Sequence, residues 1–261
     1  MRTTAIMNLK GGTAKTVTAI NMAAILAEDY DQRVLLIDAD SQGNLTEFMA
    51  RDPEDAYRLG SVADLLQNGK GYAYPTKLDG VWILEADDRL MELDVTAVST
   101  GKVNAMAISD YLAAYEELYD WCIIDCPPAF TATAMAALIA ADEVVIPMKV
   151  DAFGIRGMSN LLEQIRNMRR VNADLELAGV LPTMVYPDPS QREAEQKLRT
   201  ELARATITTF PHIRRSVSVD KMTFTQQALI YGAPRSGACR DYRNFCKRLL
   251  AMDPDWEGGE L

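Results

Sequence analysis

Short runs of apolar residues alternate along the chain with longer segments in which apolar residues recur at helical spacing. The runs predict buried strands, and the spaced segments predict helices with one buried face. The predicted strands are Thr3–Asn8, Arg33–Asp38, Trp82–Leu84, Trp121–Asp125, Val144–Pro147 and Leu177–Leu181. The predicted helices are Thr16–Glu28, Ser61–Gln67, Asp88–Val95, Asn104–Leu118, Met158–Arg170, Arg192–Ala203 and Arg240–Ala251.

This alternation is typical of βαβ units and predicts an α/β fold, with a mostly parallel twisted sheet flanked by helices on both faces. The region 41–80 is less regular and is punctuated by glycine and proline. We find no repeat, no low-complexity tract and no linker. Residues 1–261 are therefore expected to form a single domain.

The apolar runs, the first residues and the cysteines indicate the cellular compartment of the protein. No apolar run approaches the length needed to span a bilayer. The chain enters its first strand without a basic and apolar leader, so we expect a cytoplasmic protein. Its four cysteines show no C-x-x-C spacing and are expected to be buried or idle thiols in a reducing compartment: Cys122, Cys126, Cys239 and Cys246.

Charge is unevenly distributed along the chain, whose net charge is −10. Residues 1–148 hold 10 basic against 23 acidic side chains, whereas residues 149–252 hold 17 against 10. Residues 253–261 add four acids. A basic half can provide a local phosphate-binding face even in an acidic protein, although solvated helix faces explain the same numbers.

The segment Asn8–Thr16 carries the strongest chemical signal. It is a glycine-rich loop between a predicted strand and a predicted helix, where backbone N–H groups can hold phosphates. In such a loop Lys15 reaches the β- and γ-phosphates, and the Thr16 hydroxyl binds Mg²⁺. A second lysine, Lys10, has little further use in its own site. It is therefore expected to reach a phosphate in a second subunit, so that the protein dimerises over ATP.

Acidic residues follow two other predicted strands. Asp38 and Asp40 lie two residues apart, and they project to the same side if the strand geometry continues. Asp125 ends the strand before Pro127 and Pro128. Since ligands bind at the carboxyl ends of parallel strands, these acids are expected to serve Mg²⁺ beside the phosphate loop. A single such acid would equally suit a helix cap.

Several motifs together resemble the ParA/MinD family of ATPases, whose P-loop is of the deviant Walker A type (K-G-G-x-G-K-[ST]). Lys10-Gly11-Gly12-x-x-Lys15-Thr16 is similar to that loop, and Ile37–Asn44 resembles the D-x-D-P-Q-G-N motif of the ParA/Soj branch. Tyr119–Pro128 resembles its Walker B segment. The resemblance continues through 141–147, 179–184 and 210–216, and so covers nearly the whole chain.

The resemblance implies roles for these residues. Lys10 would contact nucleotide across the dimer, Asp40 would position or activate the attacking water, and Asp38 and Asp125 would support the metal shell, the latter through water. The nucleotide would be held by Lys10, Gly11, Gly12, Thr13, Ala14, Lys15, Thr16 and Val17. Family members bind ATP with Mg²⁺, close into a sandwich homodimer and then bind double-stranded DNA without sequence preference. A ParB-like partner stimulates hydrolysis and resets them, and the cycle segregates plasmids or chromosomes at the nucleoid.

The sequence departs from the family pattern at two positions. Ala14 replaces a glycine, and if this position needs positive φ the cost is roughly 1–2 kcal/mol. We therefore expect weaker ATP binding than in an Ala14→Gly variant. Ser41 replaces the usual proline, with a mild effect expected. Relative to longer plasmid members of the family, the chain is expected to lack a separate N-terminal DNA-reading domain.

DNA contacts require basic side chains on one exposed face. Arg214 and Arg215 match a DNA-contacting segment of Soj-like relatives, and Arg192 is a looser match on a helix shared with Lys197 and Arg199. That helix also carries Glu193, Glu195 and Glu201, so ordinary solvation remains an alternative for it. The only histidine, His212, is expected to have a local packing or hydrogen-bonding role.

Two other functions share this fold. A membrane-positioning ATPase of MinD type would need a C-terminal basic amphipathic helix, but the helix at 241–251 is followed by Asp253, Asp255 and Glu257, which oppose anionic lipid, so no membrane is expected. An iron-protein reductase would need cysteines that bridge a cluster between subunits, and an amide synthase would need a substrate pocket that the sequence does not identify.

Overall fold

The strands lie close to their predicted positions. A computed structural model describes residues 1–51, 60–100 and 103–253. Its strands are β1 (Arg2–Ile6), β2 (Val34–Asp38), β3 (Tyr74–Pro75), β4 (Val81–Leu84), β5 (Trp121–Asp125), β6 (Glu143–Lys149) and β7 (Glu176–Thr183). They form one sheet in the order β3-β4-β2-β5-β1-β6-β7, parallel throughout except for the antiparallel pairing of β3 with β4. The α/β class is confirmed.

Helices cover both faces of the sheet. They are α1 (Lys15–Tyr30), α2 (Asn44–Met49), α3 (Val62–Asn68), α4 (Arg89–Thr100), α5 (Ala107–Ala114), α6 (Ala132–Ala140), α7 (Ala152–Met168), α8 (Pro189–Arg204), α9 (Val217–Thr225), α10 (Leu229–Gly232) and α11 (Gly237–Leu250). One apolar core lies beneath α1, α2 and α9–α11, and the other lies beneath α3–α8. The central strands are apolar on both faces because each face is buried.

Some helix predictions need correction. The helix predicted over 104–118 begins at Ala107 and ends at Ala114, because the chain then turns tightly and the amide of Leu118 bonds to the carbonyl of Tyr115. The helix predicted from Met158 begins at Ala152. The elements β3, α2, α6, α9 and α10 were not predicted. Within the irregular region 41–80, residues 52–59 lie outside the described residues, as do the terminal acids beyond residue 253.

The register of the central strands determines where the acids lie. Asp125 of β5 pairs in register with Ile6 of β1 on one side and with Asp38 of β2 on the other. The glycine-rich loop therefore leaves β1 beside Asp125, and Asp38 lies on the strand directly next to it. Three predicted site segments thus meet at one edge of the sheet, as expected for parallel strands.

A segment after α8 extends the sheet beside β7. The amide of Phe210 bonds to the carbonyl of Val180, and the amide of Arg215 bonds to that of Val185. Close approach is possible because β7 carries Gly179 with a φ of 153°, where a Cβ would lie 2.7 Å from the carbonyl oxygen of Thr208. The segment runs parallel to β7 and so delivers Arg214 and Arg215 to the carboxyl edge of the sheet.

Two smaller expectations are confirmed. All four cysteines are buried and unbridged. His212 lies with Nδ1 3.0 Å from a carboxylate oxygen of Glu195. No helix among the described residues combines the length and the apolarity that crossing a bilayer requires.

Candidate functional site

The glycine-rich loop is held at both of its ends. The Asn8 side chain donates to the carbonyl of Pro147 (2.8 Å) and accepts from the amide of Lys10 (3.0 Å). At the other end, the Thr183 hydroxyl of β7 donates to the carbonyl of Thr13 (3.1 Å). These bonds fix the loop as it passes from β1 into α1. A Cβ on either Gly11 or Gly12 would meet no protein atom within 4 Å, so the space beside the loop is open to a ligand.

Ala14 adopts the left-handed conformation, with φ 70° and ψ 32°, immediately before α1. The condition on which the expected strain depends, positive φ at this position, is therefore met. Its backbone carbonyl accepts from the amide of Thr18 (2.9 Å) and from the Thr18 hydroxyl (2.7 Å), so the strained residue is anchored to the helix that it precedes.

The loop lines a cavity of about 480 Å³, a volume suited to a nucleotide. Its lining residues include every predicted loop residue from Gly11 to Val17, and Asp40 as well. The remaining lining residues are Ile20, Gln42, Asn44, Glu47, Phe48, Pro128, Met184, Thr223 and Gln226. Met184, Thr223 and Gln226 form a wall that the motifs could not reveal, because it reaches the loop only through the tertiary fold.

Asp125 and Asp38 are buried side by side behind the loop. One carboxylate oxygen of Asp125 accepts from the Thr16 hydroxyl (2.6 Å), and its other oxygen has no hydrogen-bond partner within the described residues. Burial, reinforced by the neighbouring Asp38 carboxylate, raises the pKa of Asp125 well above its usual range. A buried carboxylate with an unused oxygen, next to a threonine hydroxyl, is the hard-oxygen donor set that Mg²⁺ prefers. The residues present therefore fit a magnesium ion.

Asp38 is better satisfied than Asp125. One of its oxygens accepts from both the amide and the hydroxyl of Thr46 in α2, each at 2.8 Å, and the other accepts from the amide of Asp40 (3.2 Å). Burial raises the pKa of Asp38 to about 6, and the Thr46 bonds oppose that rise. Asp38 thus ties α2 to the end of β2.

Asp40 lies beyond the end of β2, so the strand geometry that would project it beside Asp38 does not continue. Its carboxylate accepts from the amide of Gln42 (3.1 Å), and its carbonyl accepts from the amide of Gly43 (2.9 Å), which closes a tight turn. Gly43 has a φ of 62°, as this turn requires. The turn holds the half-buried Asp40 at the cavity, while Asp38 stays behind it.

Lys10 does not line the cavity. Its ammonium lies 2.9 and 3.0 Å from the two carboxylate oxygens of Asp151, which follows β6. Lys15, in contrast, is 93% buried at the base of the loop and lines the cavity. The two lysines of one loop thus occupy different environments.

The predicted DNA-contacting arginines lie outside the cavity lining. The Arg214 guanidinium makes paired bonds to the carboxylate of Asp241 in α11, at 2.7 and 2.9 Å, and its backbone amide donates to the same carboxylate. Arg215 is exposed and bonds to Asp220 of α9 at 2.8 Å. Arg192 is exposed on α8.

Ala14→Gly should relieve the left-handed strain. We expect the free energy of unfolding to rise by about 1 kcal/mol, because roughly 1–2 kcal/mol of strain is removed while glycine adds freedom to the unfolded chain. ATP affinity should rise by up to about tenfold, because the methyl group beside the phosphates is removed. Thermal unfolding and a nucleotide titration measure the two effects.

A matched control exists at the other end of α1, where Asp31 also has positive φ (52°). Asp31→Gly should affect stability without changing nucleotide affinity. If the Ala14→Gly protein binds ATP no more tightly than the unchanged protein, the methyl group does not crowd the phosphates.

A fixed glycine-rich loop, a buried lysine and acids at adjacent strand ends define the class as P-loop nucleoside triphosphatases. A family model described as an AAA domain matches residues 1–177. The chromosome-partitioning ATPase Soj of Thermus thermophilus is 31% identical over 255 residues, with 96% of each chain covered.

Two solved structures are also similar. Apo McdA of Cyanothece is 25% identical with a TM-score of 0.80, covering 96% of this chain and 99% of that chain. Cobyrinic acid a,c-diamide synthase of Mycobacterium smegmatis with bound ADP and magnesium is 28% identical with a TM-score of 0.79, covering 100% and 97%. The chain belongs to the ParA/Soj family of partition ATPases.

Proposed function

We propose that the protein is a DNA-partitioning ATPase in which ATP binding joins two copies and hydrolysis separates them. One observation carries the proposal: Lys10 belongs to the phosphate loop but stands outside the cavity that the loop lines. A cation that adjoins the phosphate loop without lining the loop's own cavity suits a triphosphate presented by a second copy. A sandwich homodimer accounts for that arrangement.

Within each copy, the Gly11–Val17 backbone and Lys15 hold the phosphates of ATP. Thr16 and Asp125 would hold Mg²⁺, the latter through water, whereas Asp38 would support the metal shell from behind by fixing α2. The metal supplies charge neutralisation of the β- and γ-phosphates. Asp40 orients the attacking water, since its carboxylate lines the same cavity as Lys15 and Thr16.

DNA binding is assigned to the basic carboxyl half of the chain, on Arg192, Arg214 and Arg215. The strand-like segment beside β7 brings the last two to the carboxyl edge of the sheet, where the nucleotide cavity also opens. Arg214 makes paired bonds to Asp241 of the C-terminal helix, and the neighbouring Arg215, whose partner Asp220 is itself exposed, reaches a phosphate from the same surface. The ligand is double-stranded DNA read through its backbone, without sequence preference.

A ParB-like partner is proposed to stimulate hydrolysis and return the protein to its monomeric form. In this cycle the protein resides in the cytoplasm on nucleoid DNA and segregates plasmid or chromosome DNA. Two features argue against the alternatives. The apolar face of α11 is buried against the core, which leaves it unavailable to a membrane, and the four cysteines are buried rather than placed to bridge two subunits.

Light scattering tests the proposal directly. The protein should be a monomer with ADP and Mg²⁺ and a dimer with ATP and Mg²⁺, and only the second form should be retained on a DNA column. A protein that binds ATP but remains monomeric and free of DNA would contradict the proposed cycle.

Arg215→Glu should remove DNA retention of the ATP-bound protein, with affinity at least about tenfold lower at moderate salt, because a phosphate contact becomes a repulsion. ATP hydrolysis should persist, since Arg215 does not line the cavity. Arg170→Glu is the matched control, as Arg170 is an exposed arginine that follows α7. Equal DNA binding by both variants would move the DNA-binding surface away from Arg215.

A further inference from the structure

Asp40 begins a tight turn that lies between two cavities. One is the nucleotide cavity, which Asp40 and Gln42 line, and the other has a volume of about 600 Å³. Gln42 lines the second cavity as well, together with Ser41 and Gly43. Because the turn has open space on both sides, packing does little to fix it. Its position therefore depends on hydrogen bonds.

The hydrogen bonds that hold the turn lead back to Asp38. One carboxylate oxygen of Asp38 accepts from the amide of Asp40 at 3.2 Å. The other oxygen accepts from the amide and from the hydroxyl of Thr46, each at 2.8 Å. The backbone of Asp40 is thus bonded to a carboxylate whose own orientation depends on Thr46.

The Thr46 hydroxyl uses both its hydrogen and its oxygen. It donates to Asp38, and its oxygen accepts from the amide of Ala86 at 3.0 Å. Ala86 follows β4, the strand that pairs with β2 on the side away from β5. Thr46 is only 3% exposed, and Asp38 and Ala86 are fully buried, so water does not replace either bond. One hydroxyl therefore joins α2 to the chain at the ends of both β2 and β4.

Thr46 fixes α2 without lining the nucleotide cavity itself. Its neighbours on the helix, Asn44, Glu47 and Phe48, do line that cavity. Because the Thr46 side chain points instead to Asp38 and Ala86, it can affect a reaction in the cavity only through the groups that it holds.

We propose that Thr46 is a positioning residue for ATP hydrolysis, and that it holds the Asp40 carboxylate in place through Asp38. This inference rests on the proposed role of Asp40 in orienting the attacking water. Geometry matters for that role, because a misplacement of about 1 Å can cost about 100-fold in rate. Without the Thr46 hydroxyl, Asp38 keeps one bond to α2 in place of two. The turn that carries Asp40 then has space on either side into which it can move.

Thr46→Val tests the proposal, because valine keeps the shape of the side chain and lacks the hydroxyl. We expect kcat for ATP hydrolysis to fall about tenfold or more, with KM for ATP within about threefold, since the phosphate loop is unchanged. Thr46→Ser keeps the hydroxyl and should restore kcat to within about threefold of the unchanged protein. Phosphate release over a range of ATP concentrations gives both constants. Thermal unfolding sets an assay temperature at which each variant is folded, and Thr46→Ala replaces Thr46→Val if valine prevents folding.

Thr76→Val is the matched control. Thr76 is 1% exposed, and its hydroxyl also makes two bonds, donating to the carbonyl of Leu78 (3.2 Å) and accepting from the amide of Leu78 (3.1 Å). It lines neither of the two cavities. This variant should lose stability, as Thr46→Val does, but its kcat should equal that of the unchanged protein.

A double variant separates positioning from a general loss of structure. If Thr46 acts through Asp40, adding Thr46→Val to the Asp40→Asn protein should reduce kcat by no more than about twofold, because the group that Thr46 positions is already changed. If Thr46 only supports the fold, the two losses should multiply.

Four outcomes overturn the assignment: an unchanged kcat in Thr46→Val, no recovery in Thr46→Ser, an equal loss of kcat in Thr76→Val, or multiplying losses in the double variant. In each of these cases the unchanged protein still hydrolyses ATP, so the proposed ATPase function survives. Failure of the unchanged protein to hydrolyse ATP would overturn both proposals together.

Discussion

Asp125→Asn is expected to make the nucleotide-free protein more stable and the enzyme at least about 100-fold slower. Asp125 is 99% buried, and one of its oxygens has no hydrogen-bond partner in the described part of the chain. Burial and the adjacent Asp38 raise its pKa, so ionising it in the folded protein costs free energy. Asparagine has the same shape, removes the charge and can still accept from Thr16. Stability should therefore rise by about 1 kcal/mol or more, as when buried unpaired charge is removed.

Hydrolysis should fall because the same substitution removes a carboxylate from the shell that supports Mg²⁺, which neutralises charge in phosphoryl transfer. The rise in stability is measured by thermal unfolding without nucleotide, and the loss of activity by phosphate release at saturating ATP. Asp120→Asn is the control: Asp120 is paired with Arg33 (2.7 Å) at the opposite end of β5. It should be neutral or mildly destabilised and fully active. A destabilised but active Asp125→Asn protein would show that this carboxylate serves packing and not the metal.

The central strands and the phosphate loop could be predicted because their signals are local. A strand buried on both faces needs an unbroken apolar run, and this condition alone located β2 and β5. Since neighbouring parallel strands end at one edge, the prediction that Asp38 and Asp125 lie near the loop needed only the topology. Their direct pairing in register confirms it.

Other parts of the site could not be predicted because they depend on contacts far apart in sequence. Nothing near Lys10 in the sequence indicates Asp151, which is 141 positions away. The wall that carries Thr223 and Gln226 is held by Asn21, whose side chain accepts from the amide of Leu229, 208 positions later. The helix α2 was missed because it is short and depends on Asp38 binding Thr46 rather than on its own periodicity.

The ion pairs of Arg214 and Arg215 could not be predicted from the sequence either. The sequence places Arg214 and Arg215 side by side on a basic segment, and Arg215 is the better match to the DNA-contacting segment of Soj-like relatives, but nothing in the sequence shows their partners. In the fold, alternation along the strand-like segment gives Arg214 paired bonds to Asp241 on α11 and leaves Arg215 with Asp220 on α9. One of two adjacent arginines is thereby tied to the C-terminal helix, and the other is the better candidate for contact with DNA. Charge counts along the chain cannot separate them.

Lys10→Ala should strongly weaken ATP-dependent dimerisation while leaving ATP binding within about threefold of the unchanged protein. Nucleotide affinity should persist because Lys10 does not line its own cavity. Dimerisation should weaken by about 30-fold or more, since removing one partner of a desolvated interfacial charge pair costs about 2–5 kcal/mol. Light scattering with ATP and Mg²⁺ measures the dimer, and a nucleotide titration measures binding. DNA retention should be lost together with the dimer.

Asp151→Asn tests whether Lys10 supports the dimer through its ion pair with Asp151 or through the nucleotide of a second copy. The Lys10–Asp151 pair is partly exposed, with side-chain exposures of 40% and 27%, and such pairs contribute at most about 1 kcal/mol. A triphosphate, with several negative charges, should therefore draw the ammonium away from Asp151. Removing the carboxylate's charge should leave dimerisation intact or shift it to lower ATP concentration, the opposite of the effect of Lys10→Ala. If instead both variants lose the dimer equally, the ion pair itself builds the interface, and Lys10 does not reach the nucleotide of a second copy.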